Sequence, residues 1–384
     1  MSKEKIMKKI AEPVIFSLVF LLLFGSIGHR MGFVNMLNTL MNSAYDLLIN
    51  TVFYIMAIAV LAGAFGSVLS EFGVIALVNK LVSPLMKPLY GLPGAASVGI
   101  MTTYLSDNPA ILALADDKAF IKYFKRYQVP ALTNIGTAFG MGAIITTFVI
   151  GLSGGRGNEM ITAALIGNLG AVVGSIVSTR LMLRFTKKEY GTEARALNDL
   201  AGSSSKVSGV ETRKKSIGLR LIESTLSGGK SGVKIGLDLI PGVLIICSLV
   251  LMLTNGPSAD GTYTGAAYEG VGLFPFIAEK LSFILKPLFG FTANECISVP
   301  ITALGSAGAA IALIPGMIAN GQATGADVAV FTAMCMCWSG YLSTHVAMMD
   351  SLGARQLTGK AILCHTIGGI CAGIFAHWVF VLAI

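Results

Sequence analysis

The apolar positions of this chain fall into runs of roughly 20 residues, the length a helix needs to cross ~30 Å of hydrocarbon. Runs at 12–28, 47–69, 127–150, 159–183, 235–254, 327–350 and 361–384 predict seven crossings. The ~10-residue alternating segments of a membrane β-barrel are not visible. Two further stretches are apolar but interrupted. Gly94 to Ala115 is split by Ser106-Asp107-Asn108-Pro109. Proline removes a backbone donor and disfavours helix at the residue before it, and an Asp within an apolar stretch is costly in lipid. Irregular backbone survives at that depth only inside protein, so the pattern predicts a re-entrant hairpin with a buried polar tip. A second interrupted hairpin is predicted at 292–316. Before each hairpin, Phe72 to Tyr90 and 272–289 carry prolines and lysines and predict helices lying along the interface.

The two hairpins belong to a repeat. Glu71, Lys80, Lys87-Pro88-Leu89-Tyr90-Gly91, Ser106, Ala110 and Ile111 return as Glu269, Lys280, Lys286-Pro287-Leu288-Phe289-Gly290, Ser306, Ala310 and Ile311. Membrane proteins built from two such halves usually bind their ligand where the halves meet. The chain divides into an N-terminal anchor helix (1–44), a first repeat (45–185), a basic cytoplasmic linker (186–233) and a second repeat (234–384).

Charge orients these elements. Of 384 residues 54% are hydrophobic and 12% charged, against roughly a quarter charged in soluble proteins. The class is all-α integral membrane, and its 45 glycines suit close packing of membrane helices. Lys and Arg are enriched on cytoplasmic loops. A cytoplasmic N-terminus and an extracytoplasmic C-terminus leave only Arg30, Arg156, Lys280 and Lys286 of the 28 Lys and Arg residues outside. Three crossings per half is an odd number, so the repeats are expected to be inverted. The first span lacks an Ala-x-Ala cleavage pattern and reads as an uncleaved anchor in the plasma membrane. The net charge of +8 sits in clusters without the aromatic interleaving that stacks bases, which argues against nucleic acid. The polar segment 184–234 permits a short surface helix or a flexible linker around Gly202-Ser-Ser-Ser205, and is a candidate docking site for a cytoplasmic partner.

Other motifs narrow the chemistry. Cys247, Cys296, Cys335, Cys337, Cys364 and Cys371 all lie in apolar stretches and read as small buried hydrophobes. Ser227-Gly-Gly-Lys-Ser231 ends like a phosphate loop, but Ser224 holds the first glycine's place and no strand precedes it. No enzyme constellation, cofactor or metal site is expected.

The interfacial segment, the Lys-Pro-Leu-aromatic-Gly turn and the small-residue hairpin resemble the nucleoside-recognition, or Gate, domain family. Related modules occur in concentrative nucleoside transporters, the ferrous-iron transporter membrane part and spore maturation proteins A and B. The resemblance covers 45–185 and 234–384. It implies hairpins that meet at the membrane centre and hold a substrate and coupling ion, and it suggests homo-oligomers. The Gly-Gln-Thr-Glu type hairpin signature of nucleoside carriers is replaced by Thr102-Thr103-Tyr104-Leu105-Ser106-Asp107-Asn108-Pro109, and the iron transporter's GTPase domain is missing.

The candidate site residues follow. Asp107 can bind a cation, relay a proton or pair with a substrate amine, or with Asn108 it can cap the helix that follows. Glu295 is the matching acid, or closes a capping box on Thr292. Thr102, Thr103, Ser106, Ser298, Thr302 and Ser306 offer hydroxyls in the hairpins, or return hydrogen bonds to their own helices. Asn134, Thr137, Asn168, Ser339, Ser343, His345 and His365 lie in spans, where an unpaired polar group costs several kcal/mol. The leading expectation is a carrier of a small polar solute, nucleoside-like or another metabolite, coupled to sodium or protons. The alternatives are a metal-ion permeation gate that needs a partner and a non-transport scaffold of the spore-maturation kind.

Overall fold

The computed structural model describes residues 3–108, 110–115, 117–152, 157–196, 216–258 and 260–383. Pro109, Arg156 and the linker residues 197–215, among them Gly202-Ser-Ser-Ser205, lie outside them. Among the described residues every regular element is a helix, with one isolated bridge between Lys125 and Arg195. Six helical segments are long and apolar enough to cross a membrane.

Helix α1 (Lys3–Met31) is followed by α2 (Phe33–Asp46), which runs through a π turn into α3 (Phe53–Glu71). The segment expected as a crossing at 47–69 is thus the second part of a 39-residue helical rod. A turn at Gly73 (φ 80°) leads to the interfacial α4 (Val74–Leu85). The first hairpin pairs α5 (Ala96–Leu105) with α6 (Ala110–Ala115), and α7 (Lys118–Ile121) follows. The expected crossing at 127–150 is broken into α8 (Ala131–Thr137) and α9 (Gly142–Gly151). The first half closes with α10 (Gly157–Tyr190).

The second half opens earlier than its hydropathy suggests. Helix α11 (Ile217–Pro241) starts in the stretch read as linker and reaches α12 (Ser248–Thr254) through a π turn just after Pro241. A proline takes a donor out of the ladder, and π turns are a usual companion of such breaks. The interfacial segment is two helices, α13 (Leu273–Lys280) and α14 (Ser282–Phe289). The second hairpin pairs α15 (Ser298–Ala303) with α16 (Ala307–Ala319). The expected crossing at 327–350 is divided at Trp338–Gly340 into α17 (Gly325–Cys337) and α18 (Tyr341–Ser351), each shorter than a membrane span. Last comes α19 (Thr358–Ala383).

Elements of the two halves pack on one another. The rods of α3 and α11 pair antiparallel, α10 packs on α19, α8 meets α18 and α9 meets α17. Glycine sets these distances. On α11, Gly228, Gly232 and Gly236 are four residues apart and lie on one helix face. A Cβ on Gly232 would stand 2.3 Å from the Ala59 carbonyl, and one on Gly236 would stand 2.2 Å from the Met56 side chain. Gly174 and Gly368 meet as closely between α10 and α19. The repeated Lys-Pro-Leu-aromatic-Gly turns end alike, on left-handed Gly91 (φ 73°) and Gly290 (φ 63°). Each packs on the last helix of its own half: Arg180 of α10 donates to the Leu89 and Pro88 carbonyls, and the His377 ring of α19 fills the space beside Gly290.

Candidate functional site

Four chain breaks and one helix face surround a cavity of about 490 Å³. The first hairpin contributes Ser106, Asp107 and Asn108, and the second contributes Gly305 to Gly308. The broken helices bring Met141 on one side and Ser339, Gly340 and Thr344 on the other. Helix α11 supplies Ser231, Lys234 and Asp238. Those three residues share a helix face different from the glycine face that meets α3.

The tips are held by their own polar groups. Asn108 is 1% exposed, and its Nδ2 donates to the Ser339 carbonyl, tying the first hairpin to the second half's broken helix. Asp107 accepts the Asn108 amide at 2.7 Å. Ser106 donates to the Thr102 carbonyl at 2.7 Å. Ser306 caps α16 by accepting the Ala309 amide at 3.2 Å, and its side chain packs against Gly242 of α11's π turn. Met141 adopts the left-handed conformation (φ 57°) just before α9, and Gly340 (φ 62°) does so before α18. Both halves break their helix at the cavity.

A second polar group lies deeper, where α8, α10, α18 and α19 meet. Asn134 Nδ2 donates to Ser178 Oγ at 2.8 Å and to the Ala361 carbonyl at 3.0 Å. Ser178 Oγ is 2.9 Å from His365 Nδ1, and His365 Nε2 donates to the Cys337 carbonyl. Thr137 Oγ1 is 3.5 Å from His345 Nδ1, and the His345 and His365 rings are 4.7 Å apart. All of these side chains are fully buried.

Of the residues singled out by sequence, Ser106, Asp107, Asn108, Ser306 and Ser339 line the cavity. Asn134, Thr137, His345 and His365 form the buried cluster instead. Thr102, Thr103, Ser298 and Thr302 return their hydroxyls to helix carbonyls three or four residues back, the local bond such residues favour. Asn168 bonds Tyr104 and Thr146 beside a separate apolar crevice. Ser343's side chain lies outside the described residues. The capping box expected on Thr292 and Glu295 is not formed. Asp327 takes both the amide and hydroxyl of Thr292, at 2.9 and 2.6 Å, and builds a capping box with Thr324 on α17. Glu295 therefore stands apart from the cavity. The five buried cysteines are free, and no group of three His, Cys, Asp or Glu among the described residues is arranged to hold a metal.

Sequence reading missed Lys234 and Asp238. The signal was present as two charges one turn apart inside a 38-residue apolar helix. Each costs about 2.5–3.5 kcal/mol at a bilayer centre on insertion scales, and such residues usually face a cavity.

No family model matches the sequence, and no curated protein does so either. The fold does have counterparts among solved structures. A doubly substituted CNTnw in an outward-facing state superposes with a TM-score of 0.54 at 14% identity, over 100% of this chain and 88% of that one. CNTnw in an inward-facing, substrate-bound state gives 0.53 at 14% identity, over 99% and 87%. An intermediate state of a singly substituted CNTnw gives 0.53 at 14% identity, over 98% and 86%. The architecture is thus that of the concentrative nucleoside transporter structures, an all-α multi-pass membrane fold.

Proposed function

We propose that this protein is a secondary carrier of a small polar solute, with its binding site in the cavity between the two hairpin tips. The observation that carries this reading is that both hairpin tips and both broken helices open onto one cavity. Broken helices near a midplane offer free amides and carbonyls to ligands, which continuous spans cannot do. Inverted repeats at 45–185 and 234–384 belong to the same reading, and the antiparallel packing of α3 on α11 supports them. A cytoplasmic N-terminus, a plasma-membrane location, kinship with Gate-domain proteins and drive by a sodium or proton gradient complete it.

The test is uptake into proteoliposomes containing the purified protein. Labelled nucleosides, amino acids and organic acids are offered under an imposed sodium or proton gradient. Accumulation of one class above empty vesicles, reduced by Asp107→Ala, is the expected result. Correctly reconstituted protein that accumulates nothing under either gradient sinks the carrier reading.

A further inference from the structure

The cavity holds charges and dipoles of both signs. Lys234 and Asp238 are exposed within it, near the middle of the Ile217–Thr254 rod. Neither makes a hydrogen bond or ion pair with any described residue. Asp107, on the facing hairpin, spends one oxygen on the Asn108 amide and has no cationic partner among the described residues. Three helices of ten residues or more begin at the cavity wall: α9 after Met141, α16 after Ser306 and α18 after Gly340. Helix N-termini carry partial positive charge and free amides, so they favour anions. Together with Lys234 they make an anion-seeking set, while Asp107 and Asp238 make a cation-seeking one. A ligand of a single sign leaves one set desolvated without a partner, which is how a site rejects it. A neutral ligand brings no countercharge to either.

We propose that the cavity selects a small zwitterion, a solute carrying an ammonium group for Asp107 and Asp238 and an acidic group for Lys234 and the helix N-termini. The proposal rests on the carrier reading and narrows it to a substrate class. It sets the chain apart from a carrier of neutral nucleosides built on the same fold.

Thermal stabilisation of the purified full-length protein tests it, because a ligand that binds only the folded state raises its midpoint. The probes are alanine, serine and glutamine as zwitterions, uridine and adenosine as neutral solutes, succinate as an anion and putrescine as a cation. Lys234→Gln and Asp238→Asn each remove one charge and break no hydrogen bond or ion pair among the described residues, so neither takes a partner from the fold. The expected result is stabilisation by at least one zwitterion and by none of the single-sign or neutral probes, with affinity about tenfold weaker or worse in each variant. Stabilisation by uridine or adenosine, equal in wild type and both variants, overturns the zwitterion and leaves the carrier standing. A zwitterion that binds wild type and both variants alike also overturns it. No shift from any probe overturns this proposal, and absence of uptake in the proteoliposome assay would then remove the carrier with it.

Discussion

Gly63 and Gly228 meet with no side chain between them: a Cβ on Gly228 would stand 2.2 Å from the Gly63 carbonyl oxygen, and one on Gly63 would stand 2.6 Å from that of Gly228. The contact continues through Gly232 on Ala59, and Arg220 closes the end of the pair on Glu71 at 2.7 Å. Small residues every fourth position let membrane helices approach until their backbones touch. This register turns the opposite face of α11, with Ser231, Lys234 and Asp238, toward the hairpin tips.

Gly228→Ala pits two effects against each other. Alanine favours helix by about 1 kcal/mol over glycine, but its methyl would press on backbone that cannot rotate away. Overpacking of this kind costs about 1–3 kcal/mol, occasionally more, so the clash wins. The expected outcome is a lower thermal midpoint, with a still larger fall for Gly228→Val. Gly229→Ala, one residue along and 3.6 Å from the nearest side chain, is expected to change it little. Equal midpoints for the Gly228 and Gly229 alanine variants would show that the close approach does not govern stability.

Gly140→Ala addresses the tip itself. A Cβ there would lie 1.5 Å from Asn108 Oδ1, so Asn108 must leave the Ser339 carbonyl or the broken helix must move. Either change re-aims the first hairpin tip. The expectation is loss of solute uptake with a stability cost of about 1–3 kcal/mol for the orphaned polar groups. Uptake equal to wild type would mean that the Asn108–Ser339 contact does not set the site.

These two contacts also show where sequence reading runs out. Ser106 to Asn108 was legible as a buried tip because proline and a carboxylate inside an apolar run leave few alternatives. The second tip was legible through its repeat of the first. Breaks at Phe139–Met141 and Trp338–Gly340 were not located, because large apolar residues, two glycines and one serine barely interrupt hydropathy. Gly228 lay in a stretch weighed as a phosphate loop and Gly232 just beyond it, since basic neighbours masked a helix-packing motif with four-residue spacing. For the same reason the linker was carried as far as the edge of Lys234. The buried partners of His365 come from three distant helices, and no local pattern announces such a meeting.

Glu269 makes a pH-dependent clamp outside the membrane-spanning helices. It is 4% exposed and accepts from Ser258 Oγ at 2.6 Å, Thr264 Oγ1 at 2.8 Å and the amides of Thr264 and Gly265 at about 3.0 Å. Burial is the largest single influence and pushes its carboxyl up, but the donors together outweigh it and hold the group below its usual range. A lowered folded-state value means that the stabilisation is present above the unfolded value, about 4.3, and is lost as pH falls through the folded one. Wild type should therefore lose thermal stability on acidification below about pH 4 more steeply than Glu269→Gln. Parallel melting profiles across that window would rule the clamp out.

His365 supplies the last test, because its hydrogen bonds join the two halves in a fixed direction. The Cys337 carbonyl can only accept, so His365 Nε2 donates to it and Nδ1 is left to accept the Ser178 hydroxyl. Ser178 can then still receive Asn134 Nδ2. A chain of this kind is coupled, and members in contact are not additive. His365→Leu strands a carbonyl at the end of α17 and a hydroxyl on α10, at about 1–3 kcal/mol for each buried group left unsatisfied. Ser178→Ala leaves His365 Nδ1 without a donor but strands less in all, since His365 keeps the Cys337 carbonyl and Asn134 keeps the Ala361 carbonyl. The expected order of thermal midpoints is wild type, Ser178→Ala, then His365→Leu, with the double variant close to His365→Leu alone. Strict additivity in that double-mutant cycle would mean that the polar chain is a set of independent bonds and does not tie α10 to α19 as a unit.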